Sequence, residues 1–180
     1  MIDTSGWKEF RIGDLFNVVL SKGDIKADAV DEGNVPLISS GQSDNGLVAY
    51  VDEKGDGKAS MFCGNTITVD MFCNSFYQPN DYYAVSHGRI NVLLPKFNLT
   101  PNIGLFICTI INKETYKYSY GRAVYSNEIQ RMIIKLPATP SGEPDWQFME
   151  NFMGGAALRA YYNFRQVFSS AFGNGEVGRI

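Results

Sequence analysis

The sequence is poor in the residues from which most metal and disulfide sites are built. Its 180 residues include one histidine, His87, and three cysteines, Cys63, Cys73 and Cys108. The cysteines have no C-x-x-C spacing, so neither a disulfide framework nor a zinc site is expected. We predict three buried thiols in a reducing compartment, and no metal or other cofactor.

Long apolar runs are also missing. No stretch approaches the roughly 18 to 20 consecutive apolar residues that span a bilayer. The first residues have neither the basic nor the apolar region of a signal peptide. These absences predict a cytoplasmic protein without membrane contact.

Positive charge is scarce and unevenly distributed. The formal net charge of −3 argues against indiscriminate coating of nucleic acid, because non-specific affinity comes mainly from neutralised phosphates. Acids far outnumber bases in residues 24–85, whereas residues 86–135 contain seven bases and two acids. We predict one basic and one acidic face, with an evenly mixed surface as the alternative.

The apolar content suits one well-cored domain, since 44% of the residues are hydrophobic and 13% are aromatic. Short apolar or alternating runs lie between clusters of Gly, Asn, Asp and Pro. They predict strands at residues 35–39, 47–51, 60–62, 66–70, 84–85, 91–94 and 131–136. This spacing is typical of an α+β fold with a twisted, largely antiparallel sheet.

One helix is predicted in the middle of the chain. Residues 101–111 are almost entirely apolar, with Thr100 in a capping position and Pro101 where a helix tolerates proline. Apolar residues on every side indicate that this helix is buried.

A second helix is predicted from residue 144. Gly154 and Gly155 predict a break or hinge in it, because each glycine costs a helix roughly 1 kcal/mol relative to alanine. An apolar stripe at helical spacing follows: Ala157, Leu158, Tyr161, Phe164, Phe168 and Phe172. We therefore divide the chain into a domain of residues 1–143 and a C-terminal helical segment of residues 144–180.

Several short strings occur in an order that resembles a known family. They are WKEFRIGDLF at residues 7–16, VPLISS at 35–40, DNGLVAY at 44–50, GNTITV at 64–69, SHGRI at 86–90, KYSYGR at 117–122, IKLP at 134–137 and GEPDWQFME at 142–150. Together they resemble the DNA target-recognition domain of the specificity (S) subunits of type I restriction-modification systems. Similar domains are fused to some type II enzymes. The resemblance covers residues 7–153.

This resemblance implies a non-catalytic protein that binds double-stranded DNA by sequence. Its implied partners are methyltransferase (M) subunits, with the restriction (R) subunit as a further partner. The sequence itself contains no G-x-S-x-G or P-loop string, nor the Asn/Asp-Pro-Pro-Tyr/Phe string of adenine methyltransferases. We expect no enzymatic activity. The alternatives are a carbohydrate-binding β-domain with exposed tyrosines and a restriction-modulating protein with no DNA target of its own.

The chain also resembles half of an S subunit. Such subunits generally carry two recognition domains, each followed by a long helix, and this sequence has one of each. Pairing of the stripe at Leu158, Tyr161, Phe164 and Phe168 with a second copy predicts a homodimer that reads a palindromic, split site. The alternative is a helix that folds back on its own domain.

Residues 39–45 offer side chains suited to DNA reading. The amides of Gln42 and Asn45 match adenine, and the hydroxyl of Ser43 suits a phosphate. The alternative interpretation is an ordinary polar hairpin turn.

Residues 113–122 form a second candidate segment. Lys117 and Arg122 suit phosphates, and the rigid fork of Arg122 also suits guanine. Tyr118 and Ser119 lie beside them, although tyrosines are equally suited to packing. Three further candidates are chosen for charge: Lys22, Arg89 and Lys96.

Overall fold

The computed structural model describes residues 3–23, 25–26, 30–52, 59–85 and 89–172, with side chains in the last helix only to residue 160 and at Tyr162. Its strands are β1 (Trp7–Arg11), β2 (Phe16–Leu20), β3 (Glu32–Ile38), β4 (Leu47–Val51), β5 (Ser60–Phe62), β6 (Thr66–Val69), β7 (Ser75–Gln78), β8 (Tyr82–Ala84), β9 (Asn91–Pro95) and β10 (Ile133–Pro137). Its α-helices are α1 (Ile12–Leu15), α2 (Pro101–Ile111), α3 (Ser126–Arg131) and α4 (Trp146–Phe172), and 3₁₀ turns span Asp44–Gly46 and Asn112–Lys117.

The described strands form three sheets. One is the pair β1 and β10, the second has the order β2-β9-β6-β7, and the third has the order β4-β3-β8-β5. Strands β3 and β8 are parallel, and the other pairs are antiparallel. The predicted α+β class with largely antiparallel pairing is confirmed, but the strands are divided among three sheets.

The main core lies between the β2-β9-β6-β7 sheet and the helices α2 and α4. It buries residues from all of these elements, among them Ile67, Leu93, Ile107 and Met149. Helix α2 approaches β7 closely at Gly104, where a Cβ atom would lie 2.5 Å from Cδ2 of Tyr77. Glycine at this position therefore permits the tight helix-to-sheet packing.

The β4-β3-β8-β5 sheet is covered on both faces. Neighbouring residues of β3 and β8 point in opposite directions, as the pleat requires, so that Leu37 and Tyr83 enter one cluster while Ile38 and Tyr82 enter another. The Tyr82 hydroxyl lies 2.9 Å from Oγ1 of Thr66 in the adjacent sheet. Burial raises the pKa of Tyr82 above its usual value. This contact joins the two larger sheets.

Helix α2 agrees with its prediction in bounds and in capping. Oγ1 of Thr100 accepts a hydrogen bond from the amide of Ile103 at 3.2 Å, which satisfies one of the free donors of the first turn. Sequence patterns missed β1, β2, β7, α1 and α3. Arg131, predicted to begin a strand, instead lies in the last turn of α3, whose first turn is stabilised where Glu128 accepts the amide of Tyr125.

Helix α4 is continuous, so the break predicted at Gly154 and Gly155 is wrong. Its start is capped by Asp145, whose Oδ1 accepts the amide of Phe148 at 2.9 Å. Met149 is fully buried in the main core, and this packing holds the first turns of the helix in place. Bending at the two glycines stays a prediction, as does the domain boundary at residue 144.

Glu150 joins α4 to the start of α2. Its Oε1 accepts a hydrogen bond from Nδ2 of Asn102 at 2.7 Å, and its Oε2 accepts one from Oγ1 of Thr100. We call this contact the Glu150 clamp. It fixes the direction in which α4 leaves the rest of the chain.

The prediction of three buried thiols is wrong for Cys63, which is exposed in the turn after β5. Cys73 and Cys108 are buried, and burial raises the pKa of each thiol to about 12. None of the helices in the described part of the chain combines the length and apolar character of a membrane span.

Candidate nucleic-acid interface

The first candidate segment is a compact loop between β3 and β4, which we call the polar loop (residues 39–46). The Ser39 amide donates to the Gly46 carbonyl at 2.8 Å and closes the loop. Asp44, Asn45 and Gly46 have φ angles of 51°, 56° and 75°. These residue types adopt the left-handed region at the lowest cost, so the local sequence specifies the shape of the loop.

A buried glutamine supports the polar loop. Gln78, the last residue of β7, is 5% exposed. Its Nε2 donates to the Asn45 carbonyl and to Oγ1 of Thr68, each at 3.0 Å. The loop backbone is therefore anchored, while the side chains of Gln42, Ser43 and Asn45 are exposed.

The second candidate segment ends in a tight turn, which we call the aromatic turn (residues 118–122). The amide of Arg122 donates to the Ser119 carbonyl at 2.9 Å, and the amide of Ser119 donates back at 3.2 Å. Ser119 and Arg122 are exposed, and Tyr120 is 92% exposed. Tyr118 instead packs against the main core, and burial raises its pKa.

The aromatic turn lies against a reverse turn that follows β6. Asp70 is 3% exposed, and its carboxylate accepts the amides of Phe72 and Asn74 and Nδ2 of Asn74 at 2.8 to 2.9 Å. The Phe72 ring lies 5.5 Å from the Tyr120 ring. The Met71 carbonyl accepts the amide of Val124 at 2.9 Å. Asp70 thus supports the aromatic turn indirectly, through Phe72 and Met71, whereas Gln78 bonds directly to the polar loop.

Lys22 and Arg89 lie at the same end of the β2 and β9 pair. The amide of Ser21, next to Lys22, donates to the carbonyl of Ile90, next to Arg89, at 2.9 Å. Nη1 of Arg89 donates to the Tyr125 hydroxyl at 2.7 Å, and the guanidinium lies 5.2 Å from the centre of that ring. Tyr125 is half exposed and was missed by the sequence analysis. No local pattern could reveal a partner 36 residues away.

The bases of residues 86–135 do not all lie at one end of the β2-β9-β6-β7 sheet. Lys96 donates to the Gly13 carbonyl at the far end of β9 from Arg89. Lys117 is paired with Glu114, and this hydrogen bond raises the lysine pKa. Arg122 and Arg89 are linked through Tyr125, which follows Arg122 by three residues, at most about 10 Å of chain.

The two candidate segments lie at opposite ends of β7. Asp70 bonds to Asn74 at the start of the strand and Gln78 ends it, a separation of about 13 Å at the usual rise of a strand. This distance corresponds to about four base pairs of DNA.

The predicted stripe on α4 is described only in part. Leu158 is 55% exposed, and Tyr162 beside it is 56% exposed. The side chains of Tyr161, Phe164 and Phe168 lie outside the described residues, as does His87. Among the residues that are described, no group of His, Cys, Asp and Glu could hold a metal ion.

The sequence model of the type I restriction modification DNA specificity domain matches residues 4–159. The chain belongs to this family. The resemblance on which the sequence analysis relied is therefore confirmed. The carbohydrate-binding alternative is not favoured, because this family match covers most of the chain.

A curated relative is the specificity subunit S.BcgI of a type II restriction enzyme from Heyndrickxia coagulans. It is 29% identical over a 155-residue alignment that covers 82% of this chain and 42% of the relative. The chain thus spans less than half the length of this specificity subunit.

Solved structures of specificity subunits share the fold. The type I S subunit of M. genitalium superposes with a TM-score of 0.59 at 14% identity, covering 92% of this chain and 42% of that one. The HsdS subunit of Thermoanaerobacter tengcongensis superposes with a TM-score of 0.56 at 13% identity, covering 98% of this chain and 42% of that one. The same domain architecture is therefore retained at low sequence identity.

Proposed function

We propose that this chain is the DNA-reading component of a restriction-modification specificity subunit and that it performs no chemistry itself. The observation that carries the proposal is the family match over residues 4–159. The structure supports it with two exposed polar segments, each anchored by one buried polar side chain. Methylation and cleavage are then the work of M and R subunits that the chain holds on its site.

The two segments suit different parts of a duplex. The amides of Gln42 and Asn45 in the polar loop can each form paired hydrogen bonds with adenine in the major groove. Arg122 and Lys117 suit phosphates, with Ser119 and Arg89 as further contacts at the same end of the β2-β9-β6-β7 sheet. Phosphate contacts fix the register, and base contacts supply the sequence preference.

Selection from a randomised duplex library tests this proposal. The intact chain should enrich one short motif, and Gln42→Ala combined with Asn45→Ala should bind DNA without that preference. A matched control is Gln147→Ala combined with Asn151→Ala, two exposed amides that bond to each other on α4. Failure of the parent chain to enrich any motif would reject the function.

We further propose that two copies associate through α4 and present two recognition domains to a split, palindromic site. The support is the exposed Leu158 and Tyr162 on that helix. Light scattering should give the mass of a dimer, and Leu158→Glu should give a monomer. The control Asn163→Glu introduces the same charge away from the stripe, by the 3.6-residue period of the helix, and should stay dimeric. A monomeric parent chain would contradict the pairing.

A further inference from the structure

Tyr120 is the most exposed large hydrophobic side chain in the described residues. It is 92% exposed, compared with 79% for Tyr116 and 51% for Tyr125. Single exposed hydrophobic residues are common on proteins. What distinguishes Tyr120 is that it stands at the tip of a rigid turn.

The geometry limits the freedom of the Tyr120 ring. The backbone of the turn is closed by the two hydrogen bonds between Ser119 and Arg122. On one side the ring contacts Phe72 at 5.5 Å between centres, with an angle of 55° between the planes. Phe72 in turn belongs to the reverse turn that Asp70 holds. The Tyr120 ring therefore rests against Phe72 on one side, while most of its surface faces solvent.

Gly121 completes the tip and has no structural reason to be glycine. A Cβ atom there would meet nothing within 4 Å in the described part of the chain, and its φ angle is outside the left-handed region. Glycine costs conformational entropy in the folded state. Where the fold itself does not require it, close approach of a ligand to the backbone is the usual alternative reason.

We propose that the tip formed by Tyr120 and Gly121 wedges into a base step of duplex DNA and partly unstacks it, with the Tyr120 ring stacked on the base face that this exposes. This proposal rests on the proposed DNA-reading function and names the residues that read deformability. Gly121 leaves room for the nucleic-acid backbone beside the ring. Arg122, the next residue, lies where it can neutralise an adjacent phosphate.

Duplex DNA suits this tip better than a protein partner does. Two guanidinium groups belong to this part of the surface: Arg122 follows the ring in the turn, and Arg89 stacks on Tyr125, three residues after Arg122. Aromatic rings interleaved with arginine or lysine side chains are typical of surfaces that stack on nucleobases. The acids in this region are engaged: Asp70 is buried and bonded to the backbone of its own turn, Glu114 pairs with Lys117, and Glu128 accepts the Tyr125 amide.

The first test replaces the ring. On the duplex that the parent chain selects, Tyr120→Ala should bind roughly 10- to 100-fold more weakly, the range expected for one stacked base. Tyr120→Phe should bind like the parent, because stacking needs the ring and not the hydroxyl. Tyr116→Ala removes another exposed ring and should leave affinity unchanged.

A spectroscopic signature separates stacking from a general loss of contact. Placing 2-aminopurine at each position of the selected site should reveal one step whose fluorescence changes on binding the parent chain. That change should disappear with Tyr120→Ala and return with Tyr120→Phe. If no position changes its fluorescence with the parent chain, the stacking proposal is overturned.

The second test fills the space beside the ring. Gly121→Ala should bind the selected duplex at least about 10-fold more weakly, since the added methyl group meets DNA and not protein. Gly6→Ala is the matched control, because Gly6 also has nothing within 4 Å and lies before β1. Neither change should alter the melting temperature.

The outcomes distinguish this inference from the function on which it rests. If the parent chain selects no motif, the DNA-reading function fails. If the parent chain selects a motif, and the Tyr120→Ala and Gly121→Ala variants bind that motif as tightly as the parent does, the function stands and the inference fails. Loss of M-subunit binding with unchanged DNA binding would also overturn it, by assigning the tip to a protein contact.

Discussion

The polar loop and the aromatic turn are both exposed segments supported from the protein interior, but the supporting side chains differ in chemistry. Each depends on one buried polar side chain near an end of β7. Gln78 bonds directly to the loop, and Asp70 holds the reverse turn that the aromatic turn packs against. Gln78 is neutral and donates two hydrogen bonds, whereas Asp70 accepts three. Hydrogen bonds to an ionised group are roughly twice as strong as neutral ones, so the aromatic turn has the stronger support.

The two segments also differ in where their shape is encoded. The consecutive Asp44, Asn45 and Gly46 carry left-handed angles that suit these residue types. The aromatic turn depends instead on Asp70 and Phe72, which lie about 50 residues earlier in the sequence. We therefore expect the loop to resist loss of its support better than the turn does.

The largest expected effect comes from Asp70→Ala. Removing a buried carboxylate that satisfies three donors should lower the free energy of unfolding by about 3 kcal/mol. Denaturant unfolding measures this loss. The control is Asp81→Ala, since Asp81 is exposed and its Oδ1 accepts the Gly64 amide, and it should cost less than about 1 kcal/mol.

Thiol labelling locates the damage. Burial raises the pKa of Cys73 and of Cys108 to about 12, so both thiols should react slowly at pH 8 while exposed Cys63 reacts at once. In Asp70→Ala, Cys73 should react faster and Cys108 should not. Equal acceleration at both thiols would indicate global unfolding and contradict the local role of Asp70.

A smaller effect is expected from Gln78→Leu. The loss of two neutral hydrogen bonds should cost about 2 kcal/mol, and hydrogen exchange should accelerate at Asn45 and Gly46. Gln147→Leu is the control, because Gln147 is exposed on α4. If Gln78→Leu destabilises the chain more than Asp70→Ala, the comparison between the two supports is reversed.

Removal of two charges should act on binding and not on folding. Arg122→Ala combined with Lys117→Ala should weaken DNA binding and reduce the slope of log K against log salt by about 2, at roughly 0.9 per phosphate contact. Binding titrations at several salt concentrations measure both quantities. Lys8→Ala combined with Arg11→Ala removes the same charge from the exposed positions of β1, and an equal loss of slope there would assign the effect to net charge.

The smallest effect is expected from Ser43→Ala. A hydroxyl bonded to a phosphate contributes about 1 kcal/mol, so affinity should fall about fivefold. Ser141→Ala, an exposed serine in the loop before α4, should leave affinity unchanged. A loss greater than that of the double charge variant would make the polar loop the main source of affinity.

Sequence patterns predicted the elements whose signals are local. The α2 helix has its cap and its apolar run within twelve residues, and β4 and β5 match their predicted bounds. Strand β1 was missed because its alternation is weak and its partner β10 lies more than a hundred residues later. The helix break was wrong because α4 continues through the two glycines, directly after Phe152 and Met153, which pack against the main core.

In the candidate site, too, sequence patterns predicted the segments with local signals and missed the contacts between distant residues. The polar loop was found from its turn residues, and Lys117 to Arg122 from charge beside rings. The sequence could not tell which tyrosine is exposed, because the answer depends on Phe72 for Tyr120 and on the main core for Tyr118. The exposed Tyr125 was invisible for a similar reason, since Arg89 reaches it only in the folded chain.

The Glu150 clamp gives α4 the mechanics of a lever. From the clamp to the end of the helix at Phe172 is 22 residues, or about 33 Å. A rotation of about 5° at the clamp therefore moves the far end by about 3 Å, close to the rise of one base pair. In the proposed dimer, angular precision at two hydrogen bonds thus becomes linear precision between the two recognition domains, and slack at Thr100 or Asn102 would be magnified along α4.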